Sequence, residues 1–189
     1  MSAQIKAEKD HYYRIYNRGV NRMQLFFDRK DYGFFKSRLI RYSKENQLCI
    51  LAHCLMPNHF HLLLHVEQSA VDDVLTKMLH RLQTSYALYF NKRYDHSGYV
   101  FQGRYSGKEV NTTEYLAWLV CYIHLNPQDA GLIESFENWE YSTHRDYLGS
   151  LDNPLSEHKL IDLTYSEILK EYLGRRKEKE AFLVDYELD

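Results

Sequence analysis

Two apolar runs, residues 48–55 and 58–66, stand almost back to back, with Pro57 and Asn58 supplying turn chemistry between them. Each is too short for an ordinary helix, so two neighbouring strands are expected here. Helical periods bracket the pair. Tyr32, Phe35, Leu39 and Tyr42 recur at three- and four-residue steps over 28–46, a helix opened by Asp28. Val74, Leu75, Met78, Leu82, Tyr86 and Tyr89 share one face over 71–90. Before the first helix, residues 11–17 read as a strand in which Tyr13 and Ile15 alternate with Tyr12, Arg14 and Tyr16 until Gly19 breaks it. Residues 99–110 look extended, and 112–126 make a third helix that Pro127 is expected to end. This order predicts an α+β fold: a ferredoxin-like β-α-β-β-α-β antiparallel sheet whose open face the third helix covers. The expected division is a domain over 1–150 and a helical C-terminal extension over 151–189.

At 189 residues and 44% hydrophobic, the chain can bury one sizeable core. No apolar run approaches the roughly 18 residues of a membrane span, and the start MSAQIKAEKD lacks a signal peptide's hydrophobic region, so a cytoplasmic protein is expected. Cys49, Cys54 and Cys121 are odd in number, sit in apolar segments and show no CxxC spacing, which argues against a disulfide framework or a cysteine zinc site. The net charge of −2 hides a division: Lys and Arg outnumber Asp and Glu 17 to 11 over 1–128, and are outnumbered 7 to 15 over 129–189. Nine cations between Tyr13 and Lys44 are interleaved with Tyr16, Phe26, Phe27 and Tyr42. Cations for phosphates and rings for unstacked bases suit a single-stranded nucleic acid, although a solvated helix face over core aromatics has the same look.

Side chains alternate along a strand, so in MPNHFHLLLHV (56–66) His59, His61, Leu63 and His65 face one way and Phe60, Leu62 and Leu64 the other. The second set is core. His59 and His61 then lie side by side, their Cβ atoms roughly 6.5–7 Å apart by strand rise, within reach of one ion. Histidines hydrogen-bonded to neighbouring strands are the alternative. His65, four residues after His61 on the same face, is a candidate third ligand, with a base, a DNA contact or a core residue as the alternatives. On the third helix, Tyr115, Leu119, Tyr122 and Asn126 follow one stripe, which makes Tyr122 and Asn126 neighbours; taken singly, each is equally a packing or capping residue.

Four ordered pieces, YNRGVNR, MPNHFHLLL, FQGRYSGKEV and YIHLNPQDAGL, resemble the single-tyrosine HUH nucleases, specifically the REP-associated tyrosine transposases of the insertion-sequence type, over about residues 10–150. The resemblance implies that His59 and His61 bind a divalent metal, Mg²⁺ or Mn²⁺, with Asn126 as third ligand, and that Tyr122 attacks DNA to leave a 5′-phosphotyrosine and a 3′-hydroxyl. It implies a hairpin DNA with a single-stranded flank as partner. The implied protein is a bacterial, nucleoid-associated transposase, favoured as a monomer, with a dimer exchanging the third helix as the alternative. No Gly-rich phosphate loop is present, in keeping with chemistry that needs no nucleotide cofactor. Expected DNA contacts are Arg14, Asn17, Arg18, Asn21 and Arg22 near the first strand and Gln102, Arg104, Tyr105 and Lys108 near the fourth. QDAG stands where the family commonly has a basic residue after NP, so one phosphate contact is expected to be absent. A domesticated DNA- or RNA-binding protein that lost cleavage is the competing reading, and a cupin-like HxH metalloenzyme is disfavoured by the long helical periods.

Overall fold

The computed structural model describes residues 7–67, 74–148 and 165–184. Strands β1 (Tyr12–Arg18), β2 (Leu48–Met56), β3 (His59–Val66) and β4 (Ser106–Val110) pair antiparallel in the order β2-β3-β1-β4. Helices α1 (Arg29–Glu45) and α2 (Val74–Tyr94) pack on one face, where Tyr13, Ile15, Phe60, Leu62 and Leu64 meet Phe35, Leu39, Met78, Leu82 and Tyr86. Helix α3 (Thr113–Asp129) packs on the other, with Leu51, Met56 and Leu63 beneath it. The alternation along the histidine strand is what separates these two cores. The α+β, ferredoxin-like expectation therefore describes this molecule.

Local signals explain how α1 starts and how it is tied to α2. The Asp28 carboxylate accepts from the Lys30 and Asp31 amides, and Asp31 answers by accepting from the amides of Phe27 (2.7 Å) and Asp28 (3.4 Å), a reciprocal cap. Asp31 is fully buried and also receives Arg93 (2.6 Å), Tyr94 (2.6 Å) and Tyr89 (3.0 Å) from α2. Arg93 is partly exposed and keeps its bonds to Asp28 if Asp31 is removed, but the Phe27 amide and the Tyr94 hydroxyl lose their acceptor. Asp31→Ala is accordingly expected to lower stability by about 1–3 kcal/mol, the cost of leaving buried donors without an acceptor, read as a fall in the urea midpoint.

Two local expectations change. Residues 99–105 are not strand: Gly98 (φ 110°) and Gly103 (φ 68°) turn the backbone, and Phe101 makes only an isolated bridge to Gly19. Pro127 does not end α3, which runs to Asp129 with Pro127 inside its last turn. A proline removes only its own N–H, and the stop comes later. Gly131 (φ 67°) bonds the Gln128 carbonyl and Leu132 the Pro127 carbonyl, the paired bonds of a left-handed helix terminus.

Beyond α3, residues 141–143 run along the free edge of β2, with Leu55 N–H donating to Tyr141 and Thr143 N–H to His53. This covers a strand edge that would otherwise invite foreign pairing. Helix α4 (His144–Tyr147) follows, and α5 (Tyr165–Val184) docks on α3 through Tyr172 against Trp118. The Tyr165 hydroxyl lies 2.9 Å from Nδ1 of both His124 on α3 and His144, while His124 Nε2 meets Thr143 Oγ1 at 3.0 Å. Among the described residues, no helix is long and apolar enough to cross a membrane.

Candidate active site

Strand register assembles the site. Within the sheet, His59 lies opposite Arg18 and Met56, and His61 opposite Tyr16 and Cys54. The Tyr16 ring stands 5.7 Å from the His59 ring and 5.0 Å from that of His61, filling the floor between them. The two imidazoles are edge to face at 5.1 Å.

His59 is anchored from the hairpin turn, where Asn58 Oδ1 lies 2.7 Å from its Nδ1. An amide oxygen can only accept, so Nδ1 carries the proton and Nε2 keeps its lone pair for another partner. His61 is 3% exposed, and neither of its ring nitrogens has a hydrogen-bond partner of good geometry. A buried imidazole without partners is costly unless something else uses its lone pair. Burial pushes the His59 pKa down to about 4, with the Asn126 amide opposing and the Arg18 charge adding to the shift. Burial likewise carries His61 well below its ordinary value, helped by His59 and Arg14 and opposed by Asn126. Both rings are therefore neutral near pH 7, the form that can donate a lone pair to a cation.

Helix α3 brings the remaining groups. The Thr112 side chain caps its start by accepting from the Tyr115 amide. The Asn126 amide nitrogen donates to the Tyr122 carbonyl at 3.1 Å, and the same side chain stands close enough to both histidines to oppose the lowering of their pKa values. The Tyr122 ring lies 5.8 Å from His61 in an edge-on arrangement, and the guanidinium carbon of Arg14 lies 5.7 Å from its centroid. Two imidazoles, one amide oxygen and one phenol thus share a single neighbourhood. Their donor set of two nitrogens and one oxygen suits a divalent cation that keeps open positions. Among the described residues, no group of three or more His, Cys, Asp or Glu forms an alternative cage.

The expected DNA contacts divide. Arg18, Asn21, Arg22, Gln102, Arg104 and Lys108 are at the surface, with Arg18 Nε bonded to Gln102 Oε1 at 2.7 Å. Arg14, Asn17 and Tyr105 are buried, unlike the other expected contacts. Arg14 lies on the α3 side of β1 beside Tyr122; Asn17 reaches the Gly103 carbonyl and caps the Arg18 amide; Tyr105 meets Thr76 at 3.0 Å. Each supports the frame around the site. His65 stacks on Tyr12 at 4.8 Å. Sequence reasoning overlooked Asn58 and Tyr16 as site residues. Asn58 was visible only as a turn residue, and nothing local marks Tyr16 as the partner of His61.

Comparison with known proteins adds three findings. The family model described as transposase, IS200 like, matches residues 7–126. A curated Haemophilus influenzae protein named as a REP-associated tyrosine transposase is 31% identical over 107 residues, which span 51% of this chain and 59% of that protein. A solved structure described as a REP-associated tyrosine transposase bound to a REP hairpin shares the fold, with a TM-score of 0.65 at 16% identity, over 83% of this chain and 96% of that one.

Proposed function

The chain belongs to the IS200-like transposase family, and from that premise we propose that it cuts and rejoins single-stranded DNA beside a hairpin, with Tyr122 as nucleophile and His59, His61 and Asn126 as holders of a divalent cation. The observation that carries this reading is the meeting of two neutral imidazoles, His59 held through Nδ1 by Asn58 and His61 buried, with the Asn126 amide and the Tyr122 ring. Bound there, Mg²⁺ or Mn²⁺ supplies Lewis-acid polarisation of a non-bridging phosphate oxygen.

The chain's own groups do the rest. Asn58 sets the tautomer of His59, and the Tyr16 ring packs against both imidazoles. The Tyr122 oxygen attacks phosphorus and yields its proton; the P–O3′ bond breaks, and the departing oxygen takes up a proton as a 3′-hydroxyl. A second strand's 3′-hydroxyl reverses the step, and the phosphodiester energy stored in the phosphotyrosine makes ATP unnecessary. Half-buried Arg18 and exposed Arg22, Arg104 and Lys108 anchor phosphates, while Asn21 and Gln102 reach base edges. On this reading the chemistry belongs to residues 1–150, α5 within the extension over 151–189 braces α3 from behind, and the protein works as a monomer at the bacterial nucleoid.

The test is covalent capture. Labelled hairpin DNA incubated with the protein and Mn²⁺ is expected to give a denaturation-resistant adduct, with the label on the peptide containing Tyr122. A protein that binds the hairpin but forms no adduct is a non-cleaving binder, and the proposal fails. A second expectation concerns Asn58. Asn58→Ala removes the acceptor that orients His59, so Mn²⁺ affinity measured by calorimetry should fall about 10- to 100-fold.

A further inference from the structure

Beside His59 lies a cleft of about 300 Å³, at the small end for ligand-binding clefts. Three elements build it: the loop after β1, the β2–β3 turn and the terminus of α3. Met56, Pro57 and Leu132 give it apolar walls, and Arg22, Gln24 and Asn58 give it a polar rim. Leu132 is 47% exposed, an apolar side chain carried to the cleft by the left-handed turn at Gly131. Gln24 donates its amide nitrogen to the Phe26 carbonyl at 2.8 Å, which leaves its oxygen as a fixed acceptor. Asn21 (φ 51°) and Arg22 (φ 61°) are both left-handed without being glycine, a sparsely populated conformation that persists only where the surroundings impose it. Asn58 joins cleft to site: its oxygen meets His59, and its nitrogen donates to the Arg22 carbonyl at 3.4 Å.

Resting on the cleavage reading above, we infer that this cleft receives the unpaired nucleobase that directly flanks the scissile phosphate, and that Gln24 and Leu132 help to set which base is accepted. A nucleobase needs apolar surface against its faces and donors and acceptors along its edge, and the cleft supplies both. Its position beside His59 makes the occupant a neighbour of the phosphate being cut. A base seated here draws its 3′ or 5′ phosphate towards the imidazole pair, so recognition and alignment become one event.

The experiment uses full-length protein, Mn²⁺ and a hairpin whose single-stranded flank is randomised, with the cut ends sequenced. Wild type is expected to favour one base at the position next to the cut. Gln24→Ala and Leu132→Ser should each weaken that preference about 10-fold, the size of one lost base contact, while the Tyr122 adduct still forms. An adduct with no base preference in wild type, or with a preference untouched in both variants, overturns the cleft assignment and leaves the cleavage reading standing. If wild type forms no adduct, the cleavage reading falls, and the cleft is judged by photo-crosslinking a flank carrying 5-iodouracil to Tyr122→Phe protein. Attachment at residues 56–58 or 130–132 supports base docking; attachment confined elsewhere overturns it.

Discussion

Tyr122→Phe is expected to abolish covalent capture of hairpin DNA and to lower cleavage by about 10⁴-fold or more, the scale seen when a nucleophile is removed. The substitution deletes one hydroxyl and keeps the ring. The edge-on contact with His61 and the approach of the Arg14 guanidinium both involve that ring, so the local packing survives. Thermal stability should shift by no more than about 0.5 kcal/mol, and hairpin affinity measured by fluorescence anisotropy should be unchanged. That combination separates a chemical role from a structural one. A phenylalanine variant that still cleaves removes Tyr122 as nucleophile, and one that loses hairpin binding as well shows that the tyrosine acts before the chemistry.

The second large effect is acid sensitivity. Burial lowers the pKa of His53 to about 3 and of His59 to about 4, and it lowers those of His61, His124 and His144 as well. In the unfolded chain each titrates near the ordinary value of about 6.5. Above that pH both states are neutral and the contribution to stability is fully present. As pH falls below it, the unfolded chain binds protons that the folded chain refuses, so stability declines, by up to about 1.4 kcal/mol per pH unit for each histidine, until the folded pKa is reached. A loss of several kcal/mol between pH 6.5 and 5 is therefore expected, a large part of the 5–15 kcal/mol typical of a domain. Urea unfolding at pH 7.5 and 5 measures it. An unchanged midpoint would mean that these rings take up protons in the folded state. The same protons occupy the lone pairs of His59 and His61, so Mn²⁺ affinity should weaken over a lower window, as pH falls towards the folded pKa values.

The histidine network behind α3 contributes to this sensitivity and has a mechanical side. His124 is tied through Tyr165 to α5 and through Thr143 to the segment along β2. The helix that carries Tyr122 and Asn126 is thus held to its own sheet by residues far along the chain. Such bracing keeps the two side chains at one rotation relative to the imidazoles, which is what a reaction sensitive to small displacements requires.

Periodicity by itself determined much of this protein. The order of elements, the split of 56–66 into a core face and a histidine face, the capped start of α1 and the stripe that makes Tyr122 and Asn126 neighbours are all consequences of local geometry, in which spacing along the chain decides direction. Tertiary structure decided the rest. Only the order β2-β3-β1-β4 sets Tyr16 opposite His61 and draws Arg14 beneath α3, buried beside Tyr122. Pro127 was read from its local chemistry as a terminus, yet the helix passes through it because the bonds that close the turn are made by Gly131 and Leu132. The same closure lifts Leu132 over the cleft beside His59. Pairing across strands and packing between layers join residues remote in sequence, and no spacing rule within one segment carries that information.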